Sequence, residues 1–303
     1  MSGEASLVPG ASYRVGYECV AGALHERRGS PGQDAGYCLQ PCPGGLPVLL
    51  ALSDGHGSAQ YFRSDRGAQT AVEVAVEIGE ELAMSDITDL STIRREAQER
   101  LPQRIAQRWR ERISRHLEEQ PFTDEERAQL MAAKGARAVE TLERDPHSAY
   151  GATLLLVIVT SQFLLFAQLG DGDILRVDRD GVTSPAFPAP ADSVGEDTAS
   201  LCMDGAWREF QVQVFPLQNG PPPLILASTD GYSKSFKSDA DFLRIGSDYL
   251  ELFRSQGVEA VQARLRGYLM QATREGCGDD VTLGFVRCSE PEDFDFGALG
   301  DQP

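Results

Sequence analysis

Positive charge is in short supply in this chain. Lys and Arg number 28 against 46 Asp and Glu, a formal net charge of −18 over 303 residues. A nucleic-acid backbone is bound by clusters of Lys and Arg that neutralise phosphates, so this balance argues against such a partner. The one arginine-dense stretch, Arg94 to Arg115, is interleaved with Glu96, Glu99 and Glu111 and reads as a solvated helix face. Long apolar runs are also missing. The longest, Leu154 to Val159, is strand-sized and far short of a membrane span. The opening MSGEASLVPG has no basic segment followed by an apolar core, so no signal peptide is expected. The cysteines are scattered at 19, 38, 42, 202, 277 and 288, and with no secretory signal they are expected as free thiols in a reducing cytoplasm. Cys38 and Cys42 have no second close pair with which to build a zinc site. No Gly-x-Ser-x-Gly elbow surrounds Ser53, Ser228 or Thr229, and no EF-hand loop is present.

What the chain has is enough apolar material for a sizeable core, with 41% hydrophobic residues. The apolar runs recur from near residue 13 to residue 288 without a linker-like break, which predicts one domain over 1–288 and an acidic, frayed tail over 289–303. Short strands are expected at Tyr13–Ala21, Tyr37–Gln40 and Pro47–Leu52, and a helix from Tyr61 to about Leu82. Residues 91–144 read as two long solvated helices broken near Pro121, with Thr123 as N-cap and Glu126 closing a capping box. Strands return at Ala152–Thr160, Gln162–Gly170, Ile174–Asp178, Glu209–Phe215 and Leu224–Ala227. Two helices, about Asp239–Arg254 and Val258–Arg274, precede a last strand at Val281–Cys288. Strands and helices mix without strict alternation, which points to an α+β arrangement of sheets with helices packed outside, and against a doubly wound parallel fold.

One local design repeats. The runs Val48–Ser53, Phe163–Leu169 and Leu224–Thr229 lead into Asp54-Gly55, Gly170-Asp171-Gly172-Asp173 and Asp230-Gly231. Gln33-Asp34 and Gly278-Asp279-Asp280 stand just ahead of two further strands. A single Asp-Gly after a strand is an ordinary turn. Five acidic strand ends are another matter, because if they converge their repulsion needs cations to offset it. Hard oxygen donors without a Cys or His cluster select Mg²⁺, Mn²⁺ or Ca²⁺ over Zn²⁺. A pair of such cations suits the activation of water against a phosphate ester.

The ordered set Gln33-Asp34, Asp54-Gly55-His56-Gly57, Gly151-Ala152-Thr153, Gly170-Asp171, Thr229-Asp230-Gly231 and Asp279-Asp280-Val281-Thr282 resembles the PP2C (PPM) metal-dependent serine/threonine protein phosphatases. The stretches around Gly22–Asp34 and Ser58–Ala68 are similar to a bacterial branch of that family. The resemblance spans residues 16 to 286. It implies a four-layer α/β/β/α sandwich with two central, mostly antiparallel sheets, and makes residues 91–145 a helical insert. It also implies a binuclear Mg²⁺ or Mn²⁺ centre. Asp54 would bridge both ions, the Gly55 carbonyl and Asp34 would serve one, Asp230 and Asp279 the other, and Asp171 a third, weaker one. A metal-bridging hydroxide would attack phosphorus in line. The implied partners are a phosphorylated protein and a serine/threonine kinase, with neither nucleic acid nor membrane involved.

The chain departs from the family pattern in places. Many relatives carry a phosphate-gripping Arg five residues before Asp34, where this chain has Gly29. Arg28 stands next to that position and His25 is nearby, so Arg28 and His25 are the phosphate-binding candidates, with a structural role open for His25. His56, directly after the metal-bridging Asp-Gly, is the candidate proton donor to the leaving group, against a structural hydrogen bond. His116 and His147 are expected at the surface, and Trp109 and Trp207 in packing roles. Residues 184–206 lie where relatives carry a flap. A phosphatase of small phosphate esters, and a catalytically weak phosphoprotein-binding module, are the alternatives.

Overall fold

Strands that are apolar at every position must be covered on both faces, and this chain uses them that way. The computed structural model describes residues 11–23, 25, 32–187, 198–217 and 220–289. Arg28, Gly29, part of the flap stretch and the tail after Ser289 lie outside the described residues.

The strands are β1 (Ser12–Val20), β2 (Ala35–Leu39), β3 (Val48–Ser53), β4 (Leu154–Val159), β5 (Phe163–Leu169), β6 (Asp173–Val177), β7 (Thr183–Pro185), β8 (Gln211–Pro216), β9 (Leu224–Ser228) and β10 (Val281–Ser289). They form two five-stranded sheets, ordered β1-β10-β9-β6-β7 and β2-β3-β4-β5-β8, with every pairing antiparallel. The period of two along each strand sorts side chains between layers. Val48, Leu50 and Leu52 of β3 meet Ile225 and Ala227 of β9 and Val286 of β10 between the sheets. Leu49 and Ala51 point the other way, into a helical layer. Leu224 and Leu226 of β9, with Leu283 and Phe285 of β10, face a second helical layer. The result is the four-layer α/β/β/α sandwich.

The helices are α1 (Ser64–Ala83), α2 (Leu90–Arg95), α3 (Leu101–Glu119), α4 (Asp124–Lys134), α5 (Ala136–Arg144), α6 (Asp230–Ser233), α7 (Asp239–Leu243), α8 (Ile245–Gln256) and α9 (Val258–Glu275). A π-helical turn at Glu96–Arg100 joins α2 to α3 without a break. Thr123 caps α4 in a complete capping box with Glu126, as the sequence predicts. The solvated reading of this region needs correction. Ile93, Ala97, Leu101, Ile105, Trp109 and Ile113 are buried in the core formed by α1 and the second sheet. Trp109 is fully buried and its Nε1 donates to the Gly67 carbonyl at 3.0 Å. A Cβ on Gly67 would lie 2.0 Å from the Tyr150 carbonyl, so α1 passes here at a distance only glycine allows. Arg104, Arg108 and Arg112 reach across to Glu81 and Glu77 of α1, joining two helices rather than lining one solvated face.

His116 and His147 are half-buried ties rather than surface residues. His116 Nδ1 lies 2.9 Å from the Tyr150 hydroxyl. His147 sits between Asp145 (Nδ1–Oδ1 3.1 Å) and Ser114 (Nε2–Oγ 3.0 Å). Asp145 also accepts from the His147 backbone amide, so these three residues pin the 146–150 turn to α3. Trp207 is 37% exposed, with the Arg208 guanidinium 4.8 Å from its ring, and is not the packing residue expected.

Candidate metal centre

Each acidic strand end is fixed by polar backbone contacts at the same edge of the sandwich. Asp54 leaves β3 and is clamped by Thr153. Its amide donates to Thr153 Oγ1 (2.9 Å), its carbonyl accepts from the Thr153 amide (2.9 Å), and the Ser53 hydroxyl donates to the Thr153 carbonyl (2.6 Å). Gly55 forms a bridge with Ala152. A Cβ there would stand 2.7 Å from the Gln33 carbonyl, so Gly55 lets the segment before Asp34 pass against the turn after β3. Asp230 opens α6 straight off β9. Across from it, a Cβ on Gly231 would be 2.0 Å from the Asp280 carbonyl, which brings Asp230 against the Asp279-Asp280 turn.

The Thr229 hydroxyl joins three segments, donating to Asp34 Oδ2 at 2.7 Å and accepting from the Thr282 amide at 3.0 Å. Asp280 is buried at 5% exposure and accepts from the Gly22 and Gln33 amides, both at 2.6 Å. His25 Nδ1 lies 2.8 Å from the same carboxylate. Asp171, in the turn between β5 and β6, accepts from Thr198 Oγ1 at 3.0 Å.

Electrostatics show that the acids face one another. Burial, then the charges of Asp34 and Asp230, a proton-sharing contact with Asp230 and the charge of Asp279 hold the Asp54 carboxyl well above its ordinary range. Asp34 is pushed up to about 8 by burial, aided by Asp280 and Asp230 and opposed by the hydrogen bond from Thr229. Asp171 is raised by burial and by its approach to Asp230. Asp173 is pushed up to about 6 by burial, against a Ser233 hydrogen bond, with Asp230 and Asp171 adding to the rise. Among the described residues, Lys234 brings a cation to these groups. The Lys234 ammonium pairs with Asp230 Oδ2 and also feels Asp171 and Asp54. Burial lowers its pKa, but these acids outweigh that and raise it.

Among the described residues, no three His, Cys, Asp or Glu side chains are already arranged to hold a metal ion. The donor chemistry nevertheless fits hard divalent cations. The side chains are carboxylates with backbone carbonyls beside them, and Asp34 Oδ1 and Gln33 Oε1 are shielded from solvent with no hydrogen-bond partner among the described residues. Asp34, Asp54, Asp171, Asp230 and Asp279 are thus brought together. His56 lies beside them, its amide on the Gly151 carbonyl at 3.1 Å and its ring 4.8 Å from that of Tyr61. His25 is placed on Asp280. The sequence reading missed Thr229, Asp280 as a loop anchor, Asp173 and Lys234.

The raised pKa of Asp34 carries a test. In the unfolded chain the group ionises near 4, and in the fold near 8. The folded protein holds an extra proton between those values, so Asp34's contribution to stability is intact below about 4 and is lost as pH rises towards 8. Asp34→Asn removes this dependence. In chelator, the variant's melting temperature minus that of the parent should climb steadily from pH 5 to pH 8. A difference that does not change with pH would mean that Asp34 does not feel the cluster.

The protein phosphatase 2C family matches residues 21–270, and the chain belongs to that family of protein phosphatases. Solved structures agree at the level of fold. The catalytic domain of the serine/threonine phosphatase PstP, in complex with two manganese ions, is 15% identical with a TM-score of 0.52 over 92% of this chain and 100% of that one. PppA, a regulatory component of the type VI secretion system of Pseudomonas aeruginosa, gives the same values. A serine/threonine phosphatase of S. agalactiae is 18% identical with a TM-score of 0.52, over 91% and 99%. No curated protein matches the chain in sequence.

Proposed function

We propose that this phosphatase hydrolyses phosphoserine and phosphothreonine in proteins, using two Mg²⁺ or Mn²⁺ ions. Asp34, Asp54, the Gly55 carbonyl, Asp230 and Asp279 would hold them, with Asp171 serving a third, weaker site. The observation that carries the reading is the meeting of acids from five chain segments at one edge of the sandwich, with Asp34 Oδ1 shielded and without a partner among the described residues. The two manganese ions of the PstP domain lend support through the shared fold. The bound cations would supply an acidified water and neutralise charge on the phosphoryl oxygens.

The chain's own residues do the rest. Thr153 and Ser53 fix Asp54, and Thr229 orients Asp34. Asp280 holds both ends of the segment from Gly22 to Gln33, assisted by His25. That segment contains Arg28, which we assign to gripping the substrate phosphate, with His25 supporting it from Asp280. None of the six cysteines is in a disulfide, and among the described residues no helix is long and apolar enough to cross a membrane. Reduced thiols suit action in the cytoplasm, on the products of a serine/threonine kinase.

We assign His56 to protonating the departing serine or threonine oxygen. An alkoxide leaves poorly and gains from a proton, whereas the phenolate of an aryl phosphate leaves without one. General acid help is worth ~10²–10⁴-fold where it is needed. His56→Ala should therefore depress kcat on phosphoserine peptides by about that factor and spare para-nitrophenyl phosphate. Equal losses on both substrates would move His56 to a structural role against Gly151 and Tyr61. The substrate class is tested with Mn²⁺, comparing phosphopeptides with small phosphate esters. Preference for the peptides supports the proposal. Preference for a small ester, or tight peptide binding without turnover, would replace it with one of the alternatives.

A further inference from the structure

The acid cluster contains a cation of the protein's own. Lys234 lies four residues after Asp230, at the end of α6, and its amide donates to the Asp230 carbonyl at 2.8 Å. That bond fixes the start of the side chain, whose ammonium turns back onto Asp230 Oδ2. The two partners differ in freedom. The Asp230 side chain is 10% exposed and the Lys234 side chain 58% exposed. The aspartate is held at the site, while the lysine can swing its ammonium into water at little cost. The ammonium takes up one oxygen of a carboxylate that bears on both Asp54 and Asp171. It brings one positive charge to a place where the proposed function puts two.

We infer that Lys234 is a tethered competitor for the divalent cation at Asp230, and that it sets the metal concentration at which the site fills. The inference rests on the proposed metal centre. With no ion bound, the ammonium offsets the mutual repulsion of Asp230, Asp54 and Asp171. Filling the site means giving up that pairing and bringing a divalent ion up to a fixed positive charge. Both effects weaken metal binding, and neither depends on the substrate.

The test replaces the ammonium with an apolar chain of similar length, Lys234→Met, and measures Mn²⁺ affinity by titration calorimetry on the whole chain without substrate. The variant should bind Mn²⁺ about tenfold more tightly, equivalent to ~1.4 kcal/mol. Its melting temperature in chelator should fall, and the rise produced by saturating Mn²⁺ should be larger than in the parent. Lys234→Arg keeps the charge and should hold affinity near the parent value. Equal affinity in the parent and Lys234→Met would overturn the inference, as would weaker binding, which would make the lysine a support for Asp230. Weaker inhibition by inorganic phosphate at unchanged Mn²⁺ affinity would overturn it too, by making Lys234 a phosphate ligand. If none of the proteins binds Mn²⁺, the metal centre itself fails, and that outcome is distinct from the others. Should Lys234→Met not fold, Lys234→Gln provides the same comparison.

Discussion

Asp54→Asn should leave a folded protein that has lost its phosphatase activity by at least about 10³-fold, corresponding to several kcal/mol of transition-state stabilisation. The position explains the size of the effect. The Asp54 backbone is locked by Thr153 through bonds that the side chain does not make, so the fold does not depend on the carboxylate. The carboxylate itself lies among Asp34, Asp230 and Asp279. Removing one buried charge from a repelling group should raise the melting temperature in chelator. The stabilisation by Mn²⁺ should shrink or vanish. A variant that keeps its activity would show that Asp54 is not at the centre of the chemistry. One that unfolds would show that the carboxylate is structural.

Trp109→Ala should have the largest effect on stability. Deleting a fully buried indole costs ~3–5 kcal/mol, and the bond to the Gly67 carbonyl is lost with it. Urea unfolding should show a much lower midpoint with an unchanged slope. If residues 90–144 were a solvated appendage, the same change would stay within about 0.5 kcal/mol. The result separates a helical region built into the core from one resting on it.

The spacing that buries this region was present in the sequence. Ile93, Ala97, Leu101, Ile105, Trp109 and Ile113 recur every fourth residue, which is a helix face. The density of Arg and Glu between them obscured it, because charges at three- and four-residue spacing also describe a solvated helix. The arginines satisfy both patterns by pairing with Glu77 and Glu81 of a neighbouring helix. The central strands were legible for the opposite reason. Buried on both faces, β3 and β9 carry uninterrupted apolar runs, and the serine that ends each run leads into an acid at the edge of the sandwich. The acids of the site could therefore be named from sequence.

Their supporting residues could not. Asp280 acts through the Gly22 amide, 258 positions away in the chain, and Thr229 through Asp34, 195 positions away. Nothing local marks either as more than a turn residue or a strand-end hydroxyl. In sequence Asp280 is simply a second acid beside Asp279. Its role as an anchor for the segment before Asp34 depends on three contacts that only the fold creates. Lys234 is similar. On a short helix it reads as an ordinary exposed lysine, and only the approach of Asp54 and Asp171 to Asp230 makes its charge matter.

The central claim is that this phosphatase works through divalent cations held by its acid cluster. The most direct measurement is phosphate release from a phosphothreonine peptide, first in excess EDTA and then as Mn²⁺ is titrated past the chelator. Activity should be absent in EDTA and return with free Mn²⁺, saturating over the same range of concentration as the rise in melting temperature. Full activity in EDTA would contradict the account.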